Sequence, residues 1–253
     1  MIFLRYTLSY AAVIFLFVTG TALADPRSQF EEGLVQYRSD NWEQAVSIWE
    51  NLLEQGYESG PLQYNLGNAY FRLNELSKCL LAYERAAKLM PRDKDVQANL
   101  ELVRLSVVDR IEAPVRLSLW NWIDTLRDSL TLRELSGLMQ ITGLLLAALI
   151  AARWFVSLKL RSIIRPLLFS LFIAYIVCLS WYGWRHTLDK NQYAIIMTEK
   201  ADVYSGPDES STQLFSLHEG TRILTREELT DWMRIRLVDG REGWLRLKEI
   251  ENI

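Results

Sequence analysis

The stretch that decides the fold is GPLQYNLGNAYFRLNELSKCLLAYERAAKLMPRD, residues 60–93. It contains two consecutive helical patterns, and Pro91 is placed to end the second of them. The residues around Gly33 align with the residues around Gly67, and the interval between these two glycines is called the repeat length below. A repeat of this length predicts stacked helical hairpins, in which small residues allow close helix approach and large aromatic residues fill the gaps between helices.

The segment Tyr64-Asn65-Leu66-Gly67-Asn68-Ala69-Tyr70 resembles the first helix of the tetratricopeptide repeat. The first unit departs from that family because Tyr37 stands one position late and no proline ends it. The resemblance implies an all-α domain over residues 25–112, with repeats at 26–59 and 60–93 and a capping helix at 94–109. Two repeats are few for this architecture, so we expect the last helix, the following segment or a partner to cap the stack.

Four polar residues form a predicted peptide groove: Tyr64, Asn65, Asn68 and Asn99. Asn99 stands one repeat length after Asn65, at a position where the family often binds the backbone of a peptide. A side-chain amide can satisfy both the N–H and the C=O of an extended chain. The alternative is that these asparagines only hydrogen-bond to the neighbouring helix.

The family members that bind an acidic C-terminal tail carry basic residues beside such asparagines. Here the corresponding residues are Phe30, Leu34 and Asp95, and residues 25–58 hold eight acidic residues against two basic ones. This charge pattern disfavours an acidic ligand and favours a basic or neutral partner segment.

Two stretches are long and apolar enough to cross a bilayer, residues 135–156 and residues 166–185. The alternative is a pair of buried helices in a soluble domain. The loop predicted between them, residues 157–165, lies in a region whose basic residues are Arg153, Lys159, Arg161 and Arg165, with no acidic residue from 153 to 165. By the positive-inside rule this connector is cytoplasmic, which places both flanking regions outside.

Residues 1–24 have the pattern of a secretory signal peptide, with one early charge, an apolar core and Ala22-Leu23-Ala24 before Asp25. The alternative is an uncleaved anchor helix. An exported N-terminus agrees with the orientation that the connector predicts, so the protein is expected to be a multi-pass protein of a bacterial inner membrane with its water-exposed domains in the periplasm.

Residues 113–134 alternate apolar and charged side chains at helical spacing. Such a segment either lies along the outer surface of the membrane or packs against the preceding helical domain.

Residues 190–253 change to short alternating runs separated by turn signals, with Asp239-Gly240 typical of a hairpin. Five such strands in about 60 residues predict a small closed all-β barrel. The segment resembles bacterial SH3-like domains, which bind cell-wall peptides or protein segments, or pack against their own chain. Trp232 and Trp244 are the predicted aromatic surface for a peptide, the alternative being that both belong to the core.

The composition excludes several functions. A net charge of −3 gives no support for nucleic-acid binding, and two cysteines with two histidines exclude a disulfide scaffold and a Cys/His zinc site. His186 and His218 lack a neighbouring nucleophile or paired carboxylate, and the sequence has no phosphate-binding loop. We therefore expect a protein that is not an enzyme and has no catalytic residues, no cofactor and no metal.

The order of signal, tetratricopeptide repeats, two spans and SH3-like domain resembles the BatE-type proteins of the aerotolerance operon. The resemblance implies a membrane scaffold that assembles with von Willebrand A-domain membrane proteins linked to a MoxR-type ATPase, in oxidative-stress tolerance or envelope maintenance. A regulatory module that binds cell-wall or envelope peptide through the SH3-like domain is the alternative.

Overall fold

The computed structural model describes residues 25–111, 123, 125, 129–155, 157–189 and 193–253. The predicted signal, residues 1–24, and most of the predicted amphipathic segment, residues 113–134, lie outside this part. The chain divides into two compact units, Met1–Glu58 and Ser59–Ile253, which are described separately.

The first unit contains one helical hairpin, formed by α1 (Pro26–Arg38) and α2 (Trp42–Glu54). Asp25 caps the start of α1, and Asp40 takes a positive φ of 59° in the turn between the helices. The indole of Trp49 lies against Gly33 and donates to the Phe30 carbonyl oxygen at 3.2 Å. A side chain at position 33 would overlap this ring, so the small residue of the repeat is a packing requirement.

The second unit begins with α3 (Gly60–Arg72), α4 (Leu76–Leu89) and α5 (Lys94–Arg104). Asn74 has a φ of 60° in the turn between α3 and α4, one repeat length after Asp40. Tyr83 lies against Gly67 as Trp49 lies against Gly33. The helix pair predicted for residues 60–93 is therefore present, with the same glycine–aromatic contact as in the first hairpin.

Helix α5 ends at Arg104 instead of continuing to Asp109 as predicted. Asp109 accepts hydrogen bonds from the C-terminal sheet, and Ile111 packs against the core of that sheet. These contacts draw the chain out of the helical path after α5.

Two long apolar helices follow, α6 (Leu132–Ala152) and α7 (Leu158–Asp189), and they pack against each other. Thr131 and Glu134 form a capping box at the start of α6, and the Arg92 guanidinium contacts the Glu134 carboxylate. The predicted basic loop, residues 157–165, is corrected: from Leu158 onward it is the first part of α7, which continues through Pro166. The turn between the helices is shorter than expected because the chain resumes a helix almost at once.

The C-terminal part is one antiparallel sheet with the strand order β3-β2-β6-β5-β4-β1-β7. Its strands are β1 (Tyr193–Ile196), β2 (Lys200–Tyr204), β3 (Gln213–His218), β4 (Arg222–Leu229), β5 (Trp232–Arg236), β6 (Glu242–Arg246) and β7 (Ile250–Asn252). The prediction of an all-β segment is confirmed. The prediction of a closed barrel is wrong, because β3 and β7 are separate edges of an open seven-stranded sheet.

One face of the sheet forms its hydrophobic core, which includes Ile196, Val203, Ile223, Ile235 and Leu245. Gly243 lies on β6 where a side chain would meet Val203 and the Tyr204 carbonyl oxygen. The close approach of β6 and β2 at this point therefore requires a glycine.

Candidate peptide-binding site

A polar cluster lies where α3, α4 and α5 meet. Asn99 of α5 points its amide nitrogen at the Tyr64 hydroxyl (3.1 Å), at Asn68 Oδ1 (3.4 Å) and at the Tyr83 hydroxyl (3.4 Å). The Tyr83 hydroxyl donates a shorter bond, 2.7 Å, to Asn68 Oδ1. The four side chains, Tyr64, Asn68, Tyr83 and Asn99, are called the polar cluster below.

Three of the four residues predicted for the groove belong to this cluster, but Asn65 does not. Its amide nitrogen donates to the Pro61 carbonyl oxygen at 2.8 Å, one turn back in the same helix. Tyr83 is not among the residues predicted for the groove, yet its hydroxyl belongs to the cluster. Its place one repeat length after Trp49, which has no hydroxyl, could have drawn attention to it.

The cluster retains hydrogen-bonding capacity. Tyr64, Asn68 and Asn99 are all half-buried, so each of these residues keeps part of its surface in contact with solvent. Among the residues that the structure describes, no hydrogen bond engages the amide NH2 of Asn68 or the carbonyl oxygen of Asn99. One donor and one acceptor on adjacent amides match the C=O and N–H of an extended peptide.

Apolar side chains flank the cluster one helical turn further on. Two short turns separate α3, α4 and α5, so α3 and α5 run in the same direction. Phe71 follows Asn68 by three residues, and Leu102 follows Asn99 by three. Each apolar residue therefore lies about one turn further along the same face of its helix as the amide. Phe71 is 51% exposed and Leu102 is 56% exposed. A ligand held at the amides would therefore find apolar surface beside them.

Comparison with protein families matches residues 61–93 to the tetratricopeptide repeat. The chain contains a tetratricopeptide repeat. Repeats of this family are protein–protein interaction modules that bind through the surface their stacked helices form. The polar cluster draws three of its four residues from this repeat, Tyr64, Asn68 and Tyr83. A comparison with curated proteins found no match.

The second predicted site lies on the outer face of the sheet, opposite its hydrophobic core. Trp244 is half-buried on β6 and is paired across the sheet with Tyr204 of β2 and with Arg234 of β5. Trp232 is on the same face but is only 6% exposed. The Tyr204 ring makes a T-shaped contact with it, and the Arg246 guanidinium lies over it, 4.5 Å from the ring centroid. Of the two tryptophans, Trp244 offers the accessible ring.

The four basic residues predicted to set the orientation lie at the turn between α6 and α7 and on the first turns of α7. Arg153 follows the end of α6 and is exposed, while Lys159, Arg161 and Arg165 belong to α7. Because α7 starts at Leu158, the charges extend along a helix instead of a loop. Their common position at one end of the helical hairpin is unchanged.

Neither helix of the hairpin is a buried core element. In the most apolar 18-residue window of each, only 6% of the residues are buried. Large apolar side chains such as Leu144, Phe169 and Phe172 are more than half exposed. Soluble proteins rarely expose contiguous apolar surface of this kind, so the hairpin is compatible with a membrane protein.

Two observations bear on chemistry. In the described ranges, no group of three or more His, Cys, Asp or Glu side chains is arranged to hold a metal ion. Cys79 is buried, and burial raises the pKa of its thiol to about 12, which opposes a nucleophilic role. The absence of catalytic, cofactor and metal residues stays a prediction.

Proposed function

We propose that the protein is a non-enzymatic membrane adaptor that binds an extended segment of a partner protein at the polar cluster. The observation that carries the proposal is the pair of half-buried amides, Asn68 and Asn99, with an unengaged donor and acceptor inside a tetratricopeptide repeat. Isolated amides that only brace two helices would be expected to satisfy each other.

The partner segment is neutral or basic and carries an apolar side chain. Asp95, on the turn of α5 before Asn99, is exposed and stands where a basic residue would be needed to bind a terminal carboxylate. Phe71 and Leu102 supply apolar contact beside the amides. Backbone hydrogen bonds would give affinity, and the apolar contact would give specificity.

The helical hairpin anchors this adaptor in a membrane, with the repeat and the sheet on the same side. Support comes from contacts between the two parts that flank the hairpin in sequence: Arg85 of α4 bonds to Glu251 and Asn252 of the sheet, and Asp109 bonds to His218. Two parts that touch each other lie on one side of a bilayer. The basic residues at the opposite end of the hairpin favour the cytoplasm, so both parts are assigned to the periplasm.

The partners proposed are von Willebrand A-domain membrane proteins linked to a MoxR-type ATPase, in oxidative-stress tolerance or envelope maintenance. This assignment rests on the resemblance of the domain order to BatE-type proteins. On the ground of the same resemblance, the open sheet is proposed to be an SH3-like domain.

The binding proposal is tested by co-purification of the full chain from detergent. The wild type and Asn65→Ala should retain a von Willebrand A-domain partner, because Asn65 bonds only to its own helix among the described residues. Asn68→Ala and Asn99→Ala should each lose it. Equal retention by all four proteins would show that the polar cluster does not bind the partner.

Orientation is tested with reporter fusions to the full chain. A reporter inserted after Arg161 should behave as cytoplasmic, and one fused after Ile253 should behave as exported. The reverse result would overturn the assignment, and two exported reporters would show that the hairpin does not span the membrane.

A second function is favoured by the half-buried ring of Trp244 on the outer face of the sheet. Beside Tyr204 and Arg234, it forms an aromatic surface suited to a cell-wall or envelope peptide. If this is the binding site, Trp244→Ala in the full chain should abolish retention on purified wall material while Asn99→Ala leaves it unchanged. No retention by the wild type would remove this alternative.

A further inference from the structure

Two carboxylates of the helical part accept hydrogen bonds or ion pairs from the C-terminal sheet. Asp109 follows α5, and Glu84 lies in the middle of α4. Both are largely buried, with side-chain exposures of 17% and 7%. Carboxylates are seldom buried unless they are paired, so their partners identify a specific contact rather than a chance approach.

Asp109 is engaged by His218 at the end of β3 and by Thr221 in the turn that follows it. Its Oδ2 accepts from the main-chain N–H of His218 at 2.7 Å and from the Thr221 hydroxyl at 2.7 Å. Its Oδ1 lies 2.9 Å from His218 Nδ1. Asp109 thus holds the main chain and side chain of His218 and the side chain of Thr221. These contacts fix the position of the turn relative to the segment after α5.

Glu84 connects α4, α5 and the sheet. Its Oε1 lies 2.6 Å from Arg104 Nη2 at the end of α5 and 3.9 Å from Arg222 Nε on β4. The Arg222 guanidinium also stacks on the Tyr193 ring at 3.9 Å. One buried carboxylate therefore receives a cation from α5 and another from the sheet.

The turn after β3 packs on apolar side chains of the helical part. Gly220, at a φ of +78°, faces Leu80 of α4 and Val107 of the segment after α5. An added Cβ would lie 2.7 Å from Leu80 Cδ1. The turn can approach the helices only because it has a glycine there.

This contact lies next to the helix that carries Asn99. Helix α5 packs on α4 and ends at Arg104, and the chain then runs through Asp109 to Ile111 along the sheet. A terminal helix of a repeat stack needs a cap, because each repeat is stabilised only by its neighbours. The sheet contacts the end of α5 at two places. Arg222 of the sheet shares the Glu84 carboxylate with Arg104, the last residue of α5. Asp109, in the segment that follows α5, bonds to the sheet directly.

We propose that the C-terminal sheet is the intramolecular cap of the repeat stack, and that Asp109 is the positioning residue that holds α5, and with it Asn99, against α3. The sheet thus keeps the polar cluster assembled. The proposal goes beyond peptide binding and does not depend on it, because its test uses no ligand.

The test is hydrogen exchange of the full chain in detergent, comparing the wild type with Asp109→Asn and Asp202→Asn. Asp202 is the matched control, because it accepts from Ser216 and Gln213 and pairs with Lys200, all inside the sheet. Loss of the buried charged acceptor at Asp109 should raise exchange across Lys94–Arg104 by about tenfold. Helix α1 and strands β5 and β6 should exchange as in the wild type.

Unchanged exchange in α5 of Asp109→Asn would overturn the proposal, and so would an equal rise in α1, α5 and β5. A rise in α5 of Asp202→Asn as large as that in Asp109→Asn would also overturn it. If Asp109→Asn does not fold, Thr221→Val removes a single donor to the same carboxylate. It should raise α5 exchange by a smaller factor with the same distribution, and an even distribution would count against the cap.

Discussion

The Tyr83 hydroxyl donates a 2.7 Å hydrogen bond to Asn68 Oδ1, so a side chain of α4 fixes the orientation of an amide of α3. With its oxygen held, Asn68 keeps an NH2 group that makes no hydrogen bond to the described residues. Tyr83 also packs against Gly67, which couples the packing of the helix pair to the geometry of the polar cluster.

Tyr83→Phe should therefore weaken both stability and partner binding. Removal of one partly buried hydrogen bond should lower the free energy of unfolding by about 1 kcal/mol. Partner retention should fall because Asn68 is free to rotate. Denaturant unfolding followed by fluorescence, together with detergent co-purification, measures the two effects. Tyr204→Phe is the control, since its hydroxyl makes no hydrogen bond among the described residues. Equal partner retention by both variants would contradict the role given to Tyr83.

Gly67→Ala should destabilise the repeat more than most surface changes. A Cβ at this position would lie 2.6 Å from two ring carbons of Tyr83, so the ring or the helices must move. Overpacking of this kind costs about 1–3 kcal/mol. The shift in the thermal or denaturant midpoint measures it. Gly137→Ala is the matched control in α6, with no atom within 4 Å of the added carbon, and should not lower the midpoint.

The helical repeat was readable from sequence because helix packing is periodic. Gly33 and Gly67 each lie under an aromatic ring, and the two rings, Trp49 and Tyr83, are also one repeat length apart. The apolar runs of α6 and α7 were equally readable, because a stretch of about 18 or more apolar residues without a charge is typical of a membrane-spanning helix. The family match confirms a tetratricopeptide repeat at residues 61–93. The structure also has the two predicted helices that are long and apolar enough to cross a membrane.

Features that depend on the exact direction of a side chain or on distant residues were not readable. Helical spacing places Asn65 near the groove, yet its amide donates a hydrogen bond to the Pro61 carbonyl oxygen. Asparagine side chains often bond in this way to nearby main-chain groups. Strand β3 breaks the alternation with adjacent Leu214 and Phe215, and β7 has three residues, so neither was predicted. The Asp109–His218 contact joins residues 109 positions apart, and no local pattern marks it.

Cys79 should be unreactive in the folded protein. Burial raises the pKa of its thiol to about 12, and the side chain is 1% exposed. At pH 8 roughly one molecule in ten thousand would carry the thiolate that reacts with alkylating reagents. In a Cys178→Ala background, iodoacetamide labelling followed by mass spectrometry should be negligible in the folded state and complete in denaturant. Rapid labelling of the folded protein would show that α3 and α4 open around Cys79.

The contact at Asp109 should make stability depend on acid. Burial raises the pKa of this carboxyl, but the hydrogen bonds from His218 and Thr221 outweigh burial and hold the pKa below its ordinary value. The folded state therefore favours the carboxylate. Its contribution to stability is complete above the pKa of the unfolded chain, about 3.9, and is lost as the pH falls through the lower pKa of the folded protein.

Asp109→Asn removes this ionisation and isolates its share of the pH dependence. Unfolding midpoints of the full chain in detergent, measured between pH 6 and pH 2.5, should differ most between wild type and variant at pH 6. The difference should begin to shrink below about pH 4, where the carboxyl of the unfolded wild type binds a proton, and should be lost as the pH falls through the lower pKa of the folded state. Asp202→Asn serves as the comparison because hydrogen bonds from Ser216 and Lys200 also lower the pKa of that carboxyl, but within the sheet. A difference that stays constant down to pH 2.5 would show that the charge of Asp109 does not stabilise the contact with His218.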